Sequence, residues 1–417
     1  EESIHLQDDK SGEQEVVLPL LELREQLPKV IADTAVFEEA VNRIASGTGP
    51  IAIDAERASG FRYSQRAYLI QVRRQGAGTY LFDPISNLDF ELFFRRTENE
   101  EWIIHASTQD LTCLREVGIT PNRMFDTELA ARLLGYPKVG LSALVEKHFG
   151  ATMAKEHSAA DWSTRPLPEP WLHYAALDVE LLIELRDLLH EELVKQNRIH
   201  WLEQECAHIL KHFAPKVKED PWRRTSGIHG VKVPRQLAVV RELWLTRNQL
   251  AKELDVAPGR LLPDSSIIFA ARADSKTTFN EMNAFQGRTA KTHATAWKEA
   301  LNRARELPDN QCPPSNPRSS TIPHPKNWAT RNPMAHARLT HARLAISKLG
   351  ESLGISNEHL ISPETLRTIC WSKTSISEDE LQQKYLVRPW QISLILPDLK
   401  TSLTATTPVA TSPPETD

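Results

Sequence analysis

Five residues in the first half of the chain have types and spacings suited to cation-assisted chemistry. Asp54 and Glu56 lie two apart in Ile51-Ala52-Ile53-Asp54-Ala55-Glu56, a run that reads as a strand, so both carboxylates leave one face. Two such groups side by side repel and resist burial unless a cation sits between them. Tyr174 and Asp178 are four apart in a helical segment and share one side of it. Asp110 stands near the start of a further helix, beside His105 and Gln109. Singly, each has an ordinary reading: a solvated strand edge, packing plus a surface charge, or a first-turn acid favoured by the helix dipole. Together they are four carboxylates and one phenol from three segments. Hard oxygen donors favour Mg²⁺ or Mn²⁺ over zinc, and the sequence offers no His/Cys cluster.

The elements that must position these groups follow from the apolar pattern. A strand over 51–56 is bounded by Gly49-Pro50. Residues 67–72 and 79–82 read as two more, separated by the turn-like Gln75-Gly76-Ala77-Gly78. A fourth is expected over 102–105, a helix over 108–117, and several helical segments from 127 to 196. Strands first, then strand–helix alternation, predict a mixed sheet with helices packed on it.

Composition bounds the rest. With 417 residues, 40% hydrophobic and 25% charged, the chain can bury a core and divides into roughly two to four domains. No apolar run approaches the ~20 residues of a membrane span. The acidic start, Glu1-Glu2-Ser3, lacks a secretory signal's basic head. Cys113, Cys206, Cys312 and Cys370 are scattered singly, which excludes a disulfide scaffold and fits a reducing, cytoplasmic location. The net charge of −5 conceals an uneven distribution. Residues 1–50 hold four basic against eleven acidic residues, whereas 222–305 hold fifteen basic against seven acidic. Either the back half tethers a polyanion or the surface is simply uneven.

Seven apolar positions recur at an offset of 99 residues: Val240, Leu250, Leu254, Val256, Leu261, Leu262 and Ile267 match Leu339, Leu349, Leu353, Ile355, Leu360, Ile361 and Leu366. Each copy runs from an amphipathic helix through a short loop to a second helix, opened by Asp264 or Pro363, which predicts two related helical modules. Prolines from Pro308 to Pro325 mark a linker. The expected organisation is an acidic extension over 1–24, a catalytic domain over 25–215, helical modules over 222–307 and 334–400, a Pro-rich linker over 308–333, and a disordered tail over 401–417.

The ordered motifs from about residue 51 to 189 resemble the DEDD superfamily of 3′–5′ exonucleases, in its tyrosine-containing subgroup. Asp54 and Glu56 match the first motif, Asp110 the second, and Tyr174 with Asp178 the third. Lys155, Asp161-Trp162, Arg165-Pro166-Leu167 and Tyr174-Ala175-Ala176-Leu177-Asp178-Val179 are similar to the ribonuclease D family, and the two repeats resemble its HRDC domains. Ser158 and Ala160 depart from that family, which commonly has Gln and Ser before the Asp-Trp pair. The resemblance implies an α/β, ribonuclease H-like exonuclease domain followed by two all-α HRDC modules. It also implies two divalent ions, Mg²⁺ or Mn²⁺. Asp54 would bridge both, Asp178 and Glu56 would serve the ion on the water side, and Asp110 the other. Tyr174, mostly protonated at pH 7, would orient the attacking water.

The activity so implied is 3′–5′ hydrolysis of RNA, tRNA precursors included, with release of nucleoside 5′-monophosphates. A DNA exonuclease and an inactive RNA-binding scaffold are the alternatives. A monomer with no dinucleotide cofactor and no membrane partner is expected. For substrate contacts, His105 could touch the terminal nucleotide, Phe61 and Tyr63 could stack on its base, and Lys155 and Arg165 could hold phosphates. For His105 the alternative is a structural role closing the strand, and for Phe61 and Tyr63 it is packing under the adjoining loop. Trp162, Trp244 and Trp297 read as core, and Arg235, Arg241 and Arg247 as possible phosphate contacts of the first repeat.

Overall fold

A computed structural model describes residues 18–154, 157, 159–214, 219–274, 277–315 and 322–408. Six strands form one sheet: β1 (Val30–Ile31), β2 (Thr48–Arg57), β3 (Ala67–Gln75), β4 (Gly78–Phe82), β5 (Glu101–Ile104) and β6 (Arg123–Asp126), in the order β1-β4-β3-β2-β5-β6. β2 occupies an interior position because Ile51, Ala52 and Ile53 are all fully buried, a run only a strand covered on both faces accommodates. It pairs antiparallel with β3 and parallel with β5, so the sheet is mixed as expected. β1 and β6 had no counterpart in the sequence reading. β1 is two residues long, and in β6 Met124, Phe125 and Asp126 are buried in succession, leaving no alternation to detect.

Among the described residues, eight α-helices complete this domain: α1 (Thr34–Ala45), α2 (Phe90–Thr97), α3 (Leu111–Glu116), α4 (Thr127–Leu133), α5 (Leu141–Phe149), α6 (Glu169–Glu180), α7 (Leu182–Lys195) and α8 (Ile199–His212). The sheet register decides which of them meets the acidic strand. Asp54 lies opposite Gln71 and Glu56 opposite Leu69, so these carboxylates leave the face that carries Leu69. On that face Ala175 and Ala176 of α6 pack against Leu69, Leu81 and Trp162. The alanines let α6 approach closely, which brings Tyr174 and Asp178 to the carboxylates of β2.

The first helical module comprises α9 (Pro234–Leu254), α10 (Pro258–Leu261), α11 (Asp264–Arg272), α12 (Arg288–Thr292) and α13 (Ala294–Glu306). The second comprises α14 (Trp328–Arg331), α15 (Pro333–Leu353), α16 (Asn357–Leu360), α17 (Pro363–Ser372), α18 (Glu378–Gln383) and α19 (Pro389–Leu403). The starts of α9, α10 and α11 recur 99 residues later in α15, α16 and α17. Trp297 is fully buried in the first module, and Trp244 packs against the same core.

Three domain boundaries need moving. Of the expected acidic extension, residues 18–24 belong to the sheet domain: Leu23 packs against its core and Arg24 binds Glu180 at 2.6 Å; residues 1–17 lie outside the described residues. The Pro-rich stretch does not run to 333, because Trp328 is fully buried and packs on Trp371 at a centroid distance of 4.9 Å. Proline content conceals the single aromatic that anchors the module's first turn. The tail begins after Leu403 rather than at 401, since α19 continues to a buried Leu403; residues 409–417 lie outside the described residues.

Candidate active site

Asp54, Glu56, Tyr174 and Asp178 meet in a cavity of about 470 Å³ that Arg57, His105 and Asp110 also line. Asp54, Glu56 and Asp178 each present a carboxylate oxygen, and these oxygens lie within 4.8 Å of one another. Asp110 stands apart from that trio on the same cavity wall, its carboxylate 3.6 Å from Nε of Arg57. Thus the structure brings together all five residues that the motifs single out, as a close cluster of three plus one paired carboxylate and a phenol.

Each position has a local cause. The loop after β5 turns at Ala106, whose φ of 55° is strained for an L-residue. Asp126 holds that turn: its buried carboxylate accepts from the backbone N–H of Ala106 at 3.2 Å and of Ser107 at 2.8 Å, and it also caps α4. Asp110 then occupies the N-cap of α3 without using its side chain for capping, which leaves the carboxylate to the cavity. Behind the trio, the buried Gln71 reaches Glu56 at a long 3.5 Å and leaves its own carbonyl oxygen without a protein partner. Asp126, Gln71 and Arg57 escaped the sequence reading. Gln71 was findable as a polar residue inside an otherwise apolar strand; the other two carry no local signal.

Burial raises the pKa of Asp54, Glu56, Asp110 and Asp178 above the usual carboxylate range, and mutual repulsion raises the last three further. Among the described residues, Asp54, Glu56 and Asp178 make no ion pair with a basic side chain. Arg57 offsets Asp54 and Glu56 only in part, and carboxylates packed so closely together are costly. This donor set fits divalent cations bound by hard oxygen ligands. The Tyr174 phenol is likewise raised, first by burial and then by Asp178, Glu56 and Asp54, so it keeps its proton at neutral pH. His105 is lowered by burial, and its Nδ1 lies 2.9 Å from Oγ1 of Thr127.

Three expected substrate contacts go elsewhere. Phe61 lies under the guanidinium of Arg260, 3.9 Å from the ring centre, and Tyr63 reaches Asn248 at 3.2 Å; both rings face the first helical module. Arg165 is held by both oxygens of Asp83, at 2.9 and 2.8 Å, and by the carbonyls of Tyr68, Trp162 and Thr164, so all five of its donors are used and none is left for phosphate. Lys155 lies outside the described residues. Among the described members of this group, His105 lines the cavity. In the first module, Arg247 is buried against Asp264 and the carbonyl of Leu262, Arg235 serves three carbonyls and Asp309, and Arg241 pairs with Glu242.

Comparison with known proteins agrees with this geometry. Residues 28–194 match a family model described as 3′–5′ exonuclease, and residues 321–403 one described as 3′ to 5′ exonuclease C-terminal domain. Ribonuclease D of Bartonella henselae is 29% identical over 252 residues, 58% of this chain and 60% of that one. Ribonuclease D of a Jannaschia species is 32% identical over 260 residues, 58% of this chain and 65% of that one. The chain therefore spans less than two thirds of these relatives. A crystal structure of a protein from Bifidobacterium adolescentis superposes with a TM-score of 0.84 at 37% identity, covering 93% of this chain and all of that one. The structure of Escherichia coli RNase D shares the fold, with a TM-score of 0.65 at 23% identity over 90% of this chain and 98% of its own. Residues 28–194 thus match a 3′–5′ exonuclease domain and are similar in sequence to ribonuclease D proteins.

Proposed function

We propose that the protein is a 3′–5′ exoribonuclease that hydrolyses the terminal phosphodiester and releases nucleoside 5′-monophosphates. Structured RNA, tRNA precursors included, is the proposed substrate class, with two divalent ions, Mg²⁺ or Mn²⁺, as cofactors. The observation that carries this reading is the close trio of carboxylates Asp54, Glu56 and Asp178, which share one cavity with Asp110 and Tyr174. Divalent cations held there supply charge neutralisation at the scissile phosphate and activation of the attacking water. The protein's own groups do the remaining work. Asp54, Glu56 and Asp178 would hold the cations, and Asp110, paired with Arg57 at 3.6 Å, lines the same cavity. Tyr174 keeps its proton and donates a hydrogen bond that orients the water. His105, neutral and anchored on Thr127, offers a polar edge to the terminal nucleotide.

RNA labelled at its 5′ end and along its length, incubated with Mn²⁺, should shorten from the 3′ end and yield mononucleotides, and chelator should stop the reaction. Asp54→Asn should abolish cleavage while leaving RNA binding within about twofold; unchanged cleavage would refute the site. A matched DNA strand in the same assay tests the sugar preference. Faster cleavage of DNA would transfer the reading to a DNA exonuclease.

A further inference from the structure

The segment that follows the acidic strand joins three parts of the molecule. Ser59 and Gly60 form one wall of the catalytic cavity, and Ala159 and Ala160 line it from the loop before α6. The next residues do not contact the cavity. Instead, Arg62 donates from Nε to Oγ of Ser163 at 2.8 Å, which ties the first wall to the loop carrying the second. On the other side the segment meets the first helical module. Arg260 Nε donates to the carbonyl of Gly60 at 2.8 Å, and its guanidinium covers the Phe61 ring. The backbone N–H of Ala257 donates to the carbonyl of Phe61 at 2.9 Å, and that of Ser64 donates to Asp255 at 2.8 Å. One end of α10 is thus clamped on the backbone of a residue that lines the cavity.

A carbonyl held by a planar, always-charged donor, with the next ring stacked under the same guanidinium, has little freedom to shift. Displacement of reacting groups by ~1 Å can cost about a hundredfold in rate. We propose that Arg260 is a positioning residue for the exonuclease reaction: through the Gly60 carbonyl and the Phe61 ring it fixes the Ser59–Gly60 wall. The first helical module is then part of the catalytic apparatus as well as a handle for RNA. This rests on the exonuclease reading above and makes a claim that a simple tether does not. A tether acts only on substrates long enough to reach it, whereas a positioning contact acts on every substrate.

The test is Arg260→Ala in the full chain, assayed with Mn²⁺ on an RNA trinucleotide and on a long structured RNA. Arg260 is exposed, so the variant should fold, with a melting temperature within about 2 °C of the parent. The expected result is a fall of about tenfold in kcat on both substrates with KM for the trinucleotide changed less than about threefold. Amide hydrogen exchange should quicken over residues 58–64. Arg260→Lys, which keeps a donor but loses the planar stack, should recover part of the rate. Loss confined to the long RNA, or an unchanged kcat on the trinucleotide, would overturn the proposal while leaving the exonuclease reading intact. A parent chain with no metal-dependent release of mononucleotides would refute both.

Discussion

The two helical modules share one helix plan and differ in how they are seated. The second is fused to the exonuclease domain by an apolar seam. Trp390 of α19 stacks on Trp201 of α8 at 4.6 Å with the rings 17° apart, and the indole N–H of Trp390 and Nε of Arg388 both donate to the buried Glu205. Gly135 lies so close to Gly354 that a methyl group there would come within 2.1 Å of its carbonyl oxygen. One buried cluster runs from the sheet through α8 into this module, whereas the first module buries a separate cluster around Trp297 and touches the catalytic domain mainly through polar contacts beside the cavity. Equal helix plans therefore carry unequal duties. Apolar burial joins folding units into one, while a few hydrogen bonds position a wall and leave the cores independent.

Cutting out each anchor tryptophan gives the largest expected effects and separates the two cases. Trp390→Ala should cost about 3–5 kcal/mol, and the exonuclease domain should melt earlier together with the second module. Trp297→Ala should cost about as much, but the loss should appear as a separate, earlier transition of the first module. Limited proteolysis of that variant should cut within 222–307 while the exonuclease core survives. Loss of both regions together in Trp297→Ala would break the comparison. The same contrast warns against truncation: removing everything after residue 220 would strip Trp201 and Glu205 of their partners, so weakened catalysis in such a fragment would not isolate a role in RNA tethering.

The convergence of the carboxylates was legible in the sequence for a definable reason. Two-residue and four-residue spacings already place Asp54 with Glu56 and Tyr174 with Asp178, and a six-stranded sheet needs only to bring two such faces together. Residues whose roles depend on remote partners were not legible. Phe61 and Tyr63 follow the acidic strand closely enough to suggest a stacking site, yet what covers them lies about 190 residues further on. Arg165 sits in a family-like segment, but its fork geometry is spent on Asp83 across the domain. The repeat was visible through apolar identity at fixed offset; the different seating of its copies depends on Trp201 and Glu205, outside both.

A smaller effect distinguishes the strained cavity from the stable seam. Because the folded-state pKa values of Glu56, Asp110 and Asp178 are raised above their unfolded values, these groups favour the fold at low pH. That contribution is fully present below about pH 4 and is lost as pH rises through the folded values. In chelator, the exonuclease domain should therefore lose stability with rising pH, and Mg²⁺ or Mn²⁺ should restore it. Asp178→Asn should abolish catalysis yet raise the melting temperature of the chelated protein at neutral pH by a few degrees, on the order of 1 kcal/mol. A lower melting temperature for this variant in chelator would mean that the carboxylate is not electrostatically frustrated.

The smallest effects test the proposed RNA binding by the first module, where charge alone misleads. Arg235 is basic and belongs to a basic segment, but its donors serve carbonyls at the end of α13 and Asp309. Arg272 is exposed, packs over Gly230, and makes no ion pair among the described residues. Only a cation free to exchange water and counterions for a phosphate adds to salt-dependent affinity. Arg235→Ala should accordingly lower the stability of the first module and leave RNA affinity within about twofold, whereas Arg272→Ala should weaken binding about two- to fivefold and reduce the salt slope by about 1. Equal slopes for the two variants would show that the module's surplus charge acts as a diffuse field, and that its polar seat beside the cavity is its main link to the reaction.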